Sequence, residues 1–449
     1  METLKKDGYK ISSANFPSDF VEFLKSNHID PRIYDIHHKL PRYVRIIEYS
    51  RYSQEQIQSL IEQIQTDAGC MVFQVFRVPG FLAIADQTVK LSQLRASKEK
   101  RIVGIDVSSG IAVLSLSVEP GDNVLDLCCA PGAKLLYLAE LVAENKDMDA
   151  ENVLAKRGSA TGVDISQHRA ATCRSIITKY AGQNKGHVRI FVEDGTTFDA
   201  KAPAKSWWDP RVTKEAMSET LDRKRQSMSK RQMRKRQGTP WFAAHLLSTP
   251  YANSGAELYD RVLVDAECTH DGSLAHILKY KDWGWDQLKT QVVGNSRPSS
   301  VPVLQSRLLE NGWRLLKPMG VLVYSTCSLS RKQNELVLAG FLSRHGEDEA
   351  RVEPIDCLDH CSGLEKHDIF IGQRNESISV AFASPIWSPQ TEAEWIYCGL
   401  EDKRHLFARM QNAARFDPLV SNTSGMFIAR IRKLRHSSRQ FEQDELVPI

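Results

Sequence analysis

The 449-residue sequence has no apolar run of the length a membrane-spanning helix needs, about 18 residues or more. Its first residues, METLKKDGYKISSANF, contain no apolar h-region, so no secretory signal is expected. Cysteine is sparse: nine in the whole chain, an odd count. Reduced thiols follow, and a cysteine singled out by position reads as catalytic before structural. There is no internal repeat of solenoid length, no G-x-G-x-x-G fingerprint and no G-x-x-x-x-G-K-[ST] phosphate loop. Disorder is excluded as well. Hydrophobic residues make up 42% and charged residues 25%, a globular balance with length for about two or three domains.

What the chain does have is a charge distribution that its total hides. The net charge is only +4, yet Arg223–Arg236 reads RKRQSMSKRQMRKR, with eight Lys or Arg and no acid. Such a block repels itself as a packed element and belongs at the surface. It reads as a solvated insertion, a phosphate-binding arm or a nuclear address. The expected compartment is the nucleus or nucleolus, with cytoplasm as the alternative.

Residues from about Phe16 to Ser97 read as a small α+β unit. It has a helix at Ser18–Lys25, an extended run at Tyr43–Tyr49, a polar helix near Ser53–Thr66 and an alternating stretch at Met71–Val78. From about Arg101 the pattern changes. Strands are expected at Val124–Ala130, Ala160–Ile165, Val188–Asp194, Arg261–Glu267 and Val321–Thr326. Helices at Leu135–Glu144, Gln167–Tyr180 and Val303–Leu316 alternate with them. That alternation predicts a parallel, doubly wound α/β sheet. Met426–Arg432 alternates and ends basic, as a terminal strand would. Insertions are expected at about 199–256 and 345–415, and a frayed tail at 436–449.

In such sheets ligands bind beyond the carboxyl ends of the strands, so the tips carry the chemistry. The first tip reads DLCCAPGAK, Asp126–Lys134. Its small residues and glycine allow close backbone approach ahead of a helix N-terminus. The second ends at Asp164, about 38 residues after Asp126. An acid there can accept two bonds from ribose hydroxyls, and it is also a common helix N-cap. The third ends at Asp194, within reach of an adenine amino group. Three acids on successive tips suit an adenosyl ligand. The fourth and fifth tips, DAECTHDGS (Asp265–Ser273) and STCS (Ser325–Ser328), each bring a cysteine to the same sheet edge. Either cysteine alone suits a small core residue. Both together favour a thiolate nucleophile.

The ordered set DLCCAPGAK, GVDIS, VEDGT, LVDAECT, YSTCS and SGMFIAR resembles the RNA cytosine-5 methyltransferases of the NOL1/NOP2/Sun (RsmB-like) family. The segment 104–134 also matches that family in order and spacing. The resemblance covers roughly residues 100–340 and the last strand. It implies a Rossmann-like S-adenosylmethionine-dependent methyltransferase domain over 101–435, preceded at 1–100 by an α+β RNA-binding extension. It implies that the cofactor contacts Cys129, Ala130, Pro131, Gly132, Ala133, Lys134, Asp164, Asp194 and Asp265. It implies Cys327 as the nucleophile on cytosine carbon 6 and Cys268 as the residue that helps product release. Asp265 would bond the nitrogen edge of the base, and Lys134 would favour the thiolate or orient Asp265. The target cytosine must be unstacked. The implied partner is RNA, transfer or ribosomal, with no membrane contact and a monomeric protein.

This sequence departs from the family pattern in places. Glu267 stands where the family has Pro, and Thr269-His270 where it has Ser-Gly; Cys129 and Ala133 also differ from the usual C-A-A-P-G-G-K. Glu267 keeps open a non-catalytic RNA-binding or ribosome-assembly factor on the same fold. An adenine amino-methyltransferase would carry an Asn/Asp-Pro-Pro-aromatic motif, which DAECTH lacks. Cys357, His360, Cys361 and His367 lack the paired C-x-x-C spacing of a zinc site, so no metal is expected. Ser108-Ser109 is expected to shape the cofactor mouth. Arg42, Arg45, Arg51 and Arg77 are candidates for phosphate contacts.

Overall fold

The computed structural model describes residues 16–75, 77–143, 158–204, 240–243, 247, 257–293, 297–355, 377–378 and 404–434. The basic block at Arg223–Arg236, the quartet Cys357, His360, Cys361 and His367, and the tail lie outside them.

Helix α1 spans Ser18–Ser26 and buries Phe20 and Leu24. After it come β1 (Arg42–Ile46), α2 (Gln54–Ala68), β2 (Val72–Val75), β3 (Phe81–Ile84) and β4 (Ile102–Gly104). The start of α2 is fixed by a capping box between Ser53 and Gln56, and its end by Gly69 at a φ of 68°. The four strands form an antiparallel sheet in the order β2-β3-β1-β4. Ile57, Leu60, Ile61 and Ile64 of α2 pack on one face of it. Helix α1 does not share that core. Phe16, Phe20, Leu24 and Tyr34 pack on Leu274, Ile277, Tyr280 and Leu288 instead.

The second sheet is built from near-continuous apolar strands, as strands covered on both faces must be. It comprises β5 (Asn123–Asp126), β6 (Ser159–Val163), β7 (Val188–Phe191), β8 (Phe242–Ala243), β9 (Tyr259–Asp265), β10 (Leu316–Thr326), β11 (Ala350–Glu353), β13 (Ala414–Phe416) and β14 (Met426–Lys433), while β12 (Ser377–Ile378) joins the edge of β2. The order is β11-β14-β10-β9-β5-β6-β7-β8, with β13 paired to β14. Strands β5, β6, β7, β9 and β10 are parallel, and β14 runs antiparallel to β10. The chain steps outward from β5 to β7, then returns to lay β9 on the other side of β5. The switch in strand order therefore falls between β5 and β9, and a crevice opens beyond their carboxyl ends.

Helices α3 (Val107–Leu114), α4 (Ala133–Ala143), α5 (Gln167–Tyr180), α6 (Leu274–Leu278), α7 (Arg297–Leu315) and α8 (Glu335–Arg344) complete the frame. Leu135, Leu138, Ile177 and Val188 pack one face of the central sheet, in a cluster that also holds Tyr43, Phe81 and Val103 of the first sheet. Leu309, Trp313, Phe341 and Phe407 pack the other face. This is the expected doubly wound, Rossmann-like α/β fold with an α+β sheet at its N-terminal side. Several expected strands end earlier than their apolar runs. Leu127–Ala130, for example, leaves the ladder to form the turn into α4.

Arg45 corrects one expectation. It is 1% exposed and makes a bidentate pair with Glu140 of α4 at 2.7 and 2.8 Å, with its guanidinium 4.2 Å from the Tyr137 ring centroid. A buried guanidinium whose two terminal nitrogens both pair with Glu140 fastens β1 to α4 and is not offered to a phosphate. Breaking such a pair costs about 3–5 kcal/mol.

Candidate active site

A cavity of about 500 Å³ lies in the crevice at the switch point. That is within the size range of small-molecule sites. Ala130, Pro131, Lys134, Asp164, Asp194, Asp265 and Cys327 line it, while Cys129, Gly132 and Ala133 do not. Gly132 has a different neighbour. At its φ of 113°, a Cβ would lie 2.8 Å from Cys173 Sγ and 3.0 Å from Cys173 Cα, so this glycine lets α5 approach the turn. The Cys129 side chain is likewise buried.

On the β6–β7 side the cavity carries carboxylates and apolar walls. Asp164 Oδ1 accepts from Ser166 N at 2.9 Å, and Asp194 Oδ1 from Thr196 N at 2.9 Å. Leu127, Ile165, Leu304 and Leu308 supply the walls, and Asp106, Ser108 and Ser109 the opposite mouth. Carboxylates for hydroxyl and amino donors, beside flat apolar walls, suit a nucleoside-type ligand. This donor set fits S-adenosylmethionine.

Lys134 and Asp265 meet beneath the cavity. Lys134 Nζ donates to Asp265 Oδ2 at 2.8 Å and to Ser109 Oγ at 3.1 Å; Ser325 Oγ donates to Asp265 Oδ1 at 2.8 Å. Burial pulls the Lys134 pKa down, but the Asp265 charge and hydrogen bond outweigh it and leave it raised. The lysine is therefore a fixed cation, and Asp265 is held from both sides.

The two cysteines converge. Cys268 Sγ lies 3.2 Å from Cys327 Sγ, although 59 residues separate them. Cys268 is 1% exposed, whereas Cys327 is half-buried and faces the cavity. Burial and the neighbouring sulfur push the Cys268 thiol up. The bond from Cys268 and the His270 charge hold the Cys327 thiol down against its own burial. The pair thus divides into a proton donor, Cys268, and an acceptor, Cys327.

The loops that carry them are tied by side chains from several segments. Buried Asp271 accepts from Thr269 Oγ1, from Ser328 Oγ at 2.6 Å and from Leu329 N at 2.7 Å. Gln333 Nε2 donates to Thr269 Oγ1 at 2.8 Å, and Asn334 Nδ2 to Ser328 O at 2.8 Å. Tyr34 Oη donates to Asp271 O at 2.7 Å. Gly272 N donates to Cys327 O at 3.0 Å, and a Cβ at Gly272 would lie 2.8 Å from that oxygen. The cysteine loops pack backbone to backbone.

Sequence reading passed over Asp271, Gln333, Asn334 and Ser325, which carry no motif chemistry of their own. It noted His270 only as a departure from a glycine, and His270 does hold a φ of 57°. Its Nδ1 lies 2.9 Å from Cys327 Sγ and 3.6 Å from Cys268 Sγ. Tetrahedral zinc with bonds of about 2.3 Å would hold two sulfurs ~3.8 Å apart. The observed sulfur–sulfur separation, 3.2 Å, is shorter than that.

Residues 224–377, which include both cysteine loops, match the family model described as 16S rRNA methyltransferase RsmB/F. Over that segment this chain is similar to the RsmB/F methyltransferases. It is 31% identical over 189 residues to the multisite-specific tRNA:(cytosine-C(5))-methyltransferase trm4b of Schizosaccharomyces pombe, covering 41% of this chain and 26% of that one. It is 37% identical over 93 residues to ribosomal RNA small subunit methyltransferase B of Yersinia pseudotuberculosis, covering 21% of this chain and 20% of that one. The matches thus span about a fifth to a quarter of these relatives' own length. Among solved structures, NSun6 from Pyrococcus horikoshii with SFG aligns with a TM-score of 0.55 at 16% identity, over 94% of this chain and 99% of that one. That likeness establishes the fold.

Proposed function

We propose that this protein is an RsmB/F-type, S-adenosylmethionine-dependent RNA methyltransferase that forms 5-methylcytosine on a transfer or ribosomal RNA. We further propose that it works through a covalent bond from Cys327 to cytosine carbon 6. The observation that carries this reading is the pair of thiols, 3.2 Å apart on the loops of adjacent parallel strands, beside the Lys134–Asp265 pair. Cytosine carbon 5 is a poor nucleophile until carbon 6 is saturated, so the reaction needs a thiolate at this place.

In this reading Asp164 and Asp194 hold the cofactor's polar groups, and the Ala130–Pro131 turn and Leu308 line its apolar side. S-adenosylmethionine, when bound, supplies an electrophilic methyl group. Asp265, oriented by Lys134 and Ser325, bonds the nitrogen edge of a flipped cytosine. The Cys327 thiolate bonds to carbon 6, and the carbon 5–carbon 6 electron pair becomes available at carbon 5. After methylation a base removes the carbon 5 proton, the double bond reforms and the carbon–sulfur bond breaks. The Cys268 thiol, already directed at Cys327 Sγ, stabilises the departing thiolate.

The test is methyl transfer from radiolabelled S-adenosylmethionine to total RNA, with nucleoside analysis, for the native protein and Cys327→Ala. Label in 5-methylcytidine that disappears in the variant is the expected result. No label despite measurable cofactor binding, across RNA from cells lacking the protein, would overturn the reading. Cys268→Ala is expected to accumulate a slow-migrating protein–RNA adduct on a denaturing gel, and its absence would remove the release role.

A further inference from the structure

We propose that His270 is a further catalytic residue of this chain: its Nδ1 takes the proton of Cys327 and keeps the nucleophile as a thiolate beside an imidazolium. The geometry is direct. Among the described residues, the side-chain partners of Cys327 Sγ are Cys268 and His270, at 3.2 and 2.9 Å. Lys134, expected either to favour the thiolate or to orient Asp265, donates its hydrogen bonds to Asp265 and Ser109 and none to Cys327. Cys268 can donate a proton to the nucleophile but is poorly placed to remove one, because its own thiol is buried and pushed up. His270 is then the one contact able to accept the proton.

The position of His270 is imposed by its backbone. A φ of 57° lies in the left-handed region, where a side chain is uncommon and glycine is the easy residue. That turn, between Cys268 and the Asp271 anchor, aims the ring back over the cysteines. The His276 ring of α6 backs it edge-on, with centroids 5.2 Å apart. The other groups around the pair are Asp265 and Lys134 at the cavity floor, Glu267 on its wall, and Asp271 and Tyr34 beneath the loop. Asp271 spends both oxygens on the loop.

The proton balance is simple. Cys327 S–H and neutral Nδ1 become S⁻ and Nδ1–H⁺ before substrate arrives. The thiolate bonds to carbon 6 while the imidazolium keeps its proton. When the carbon–sulfur bond breaks, the thiolate returns to the same ion pair. The consequence for turnover rests on the proposed cytosine reaction; the existence of the ion pair does not.

The test therefore reads the thiol without RNA. Alkylation of Cys327 by iodoacetamide is followed by peptide mass spectrometry from pH 5 to 9, for the native protein, His270→Gly and His270→Gln. Glycine relaxes the left-handed backbone, so the first variant keeps the fold, which its melting curve checks. At pH 6 the rate in both variants is expected to fall about tenfold: the thiolate fraction drops further than that, but a more basic thiolate is the better nucleophile. Added imidazole is expected to restore the rate in His270→Gly but not in His270→Gln. Methyl transfer, where measured, is expected to fall on the order of 10²-fold and to shift its acid limb upward in pH. An unchanged alkylation profile in a folded His270→Gly would overturn the proposal. A shifted profile with no methyl transfer in any form would leave the ion pair standing and sink the cytosine reading alone.

Discussion

The carboxylates beyond β6 and β7 and the thiols beyond β9 and β10 are positioned in different ways, although Asn311 also braces the β7 loop through Gly195 O. On the first side each carboxylate bonds the backbone two residues on, Asp164 to Ser166 N and Asp194 to Thr196 N. On the second side Asp271 and Gln333 tie together loops that lie far apart in sequence, Asn334 braces its own loop, and Tyr34 reaches in from the N-terminal segment. A small ligand that brings its own hydroxyl and amino donors can adjust to acids on short local turns. A thiolate that must meet one carbon atom cannot adjust, because a small misplacement of a reacting group costs a large factor in rate. Binding is left to the locally held half, and bond making to the cross-braced half.

The sharpest way to break that division is at the nucleophile. Cys327→Ala is expected to lower methyl transfer by more than about 10³-fold, since no other group replaces a covalent nucleophile. Cofactor affinity, measured by calorimetry, is expected to stay unchanged. Loss of cofactor binding in that variant would mean the two halves are not separable. Next in size is Asp271→Ala, which strands the Thr269 and Ser328 hydroxyls and the Leu329 amide in a buried place. Unfolding in urea is expected to show a loss of about 3 kcal/mol or more. Alkylation of Cys268, buried in the native protein, should rise as the loops part.

The same contrast separates what was legible in the sequence from what was not. The acids on the first side stand one per strand tip, so strand period and spacing alone brought Asp164 and Asp194 to one edge. The two cysteines were legible for the same reason. Their long-range braces were not: Asp271 and Gln333 each reach the opposite loop by contacts that neither spacing nor local pattern encodes, and only the paired register of β9 and β10 brings them together. Arg45 failed from the other direction. Its charge suggested a phosphate contact, but a basic residue on a short strand carries no mark of the Glu140 that awaits it 95 residues later. Gly132 was read for ligand approach, and the close neighbour is Cys173 of a helix not adjacent in sequence.

Asp126 sits at the seam between the two halves, at the tip of β5. Burial first, and then the nearby Asp265 charge, push its carboxyl up to about 8. A carboxyl whose folded pKa exceeds its unfolded value, about 3.9, keeps its proton better in the folded state. Its contribution to stability is therefore present at low pH and declines as pH rises from about 4 to about 8. Asp126→Asn removes that titration. The stability of the variant relative to the native protein is expected to improve by about 1 kcal/mol per pH unit between about pH 5 and pH 7. Parallel stability profiles would mean that Asp126 is ionised where it lies.

The smallest expected effect is at Asp164, and it probes the locally held half directly. Asp164→Asn keeps a side-chain oxygen for the Ser166 amide but gives up the charge and one acceptor toward the cavity. Losing a charge-assisted bond to a ligand hydroxyl is expected to weaken cofactor binding about tenfold, or ~1.4 kcal/mol. The Arg169 contact at 3.6 Å is long and its arginine side chain is 48% exposed, so its loss contributes little to the fold. Melting temperature should therefore barely move while affinity falls. If Asp164→Asn instead unfolds the protein as readily as Asp271→Ala, the acid on this side braces the structure too, and the division between a binding half and a bond-making half fails.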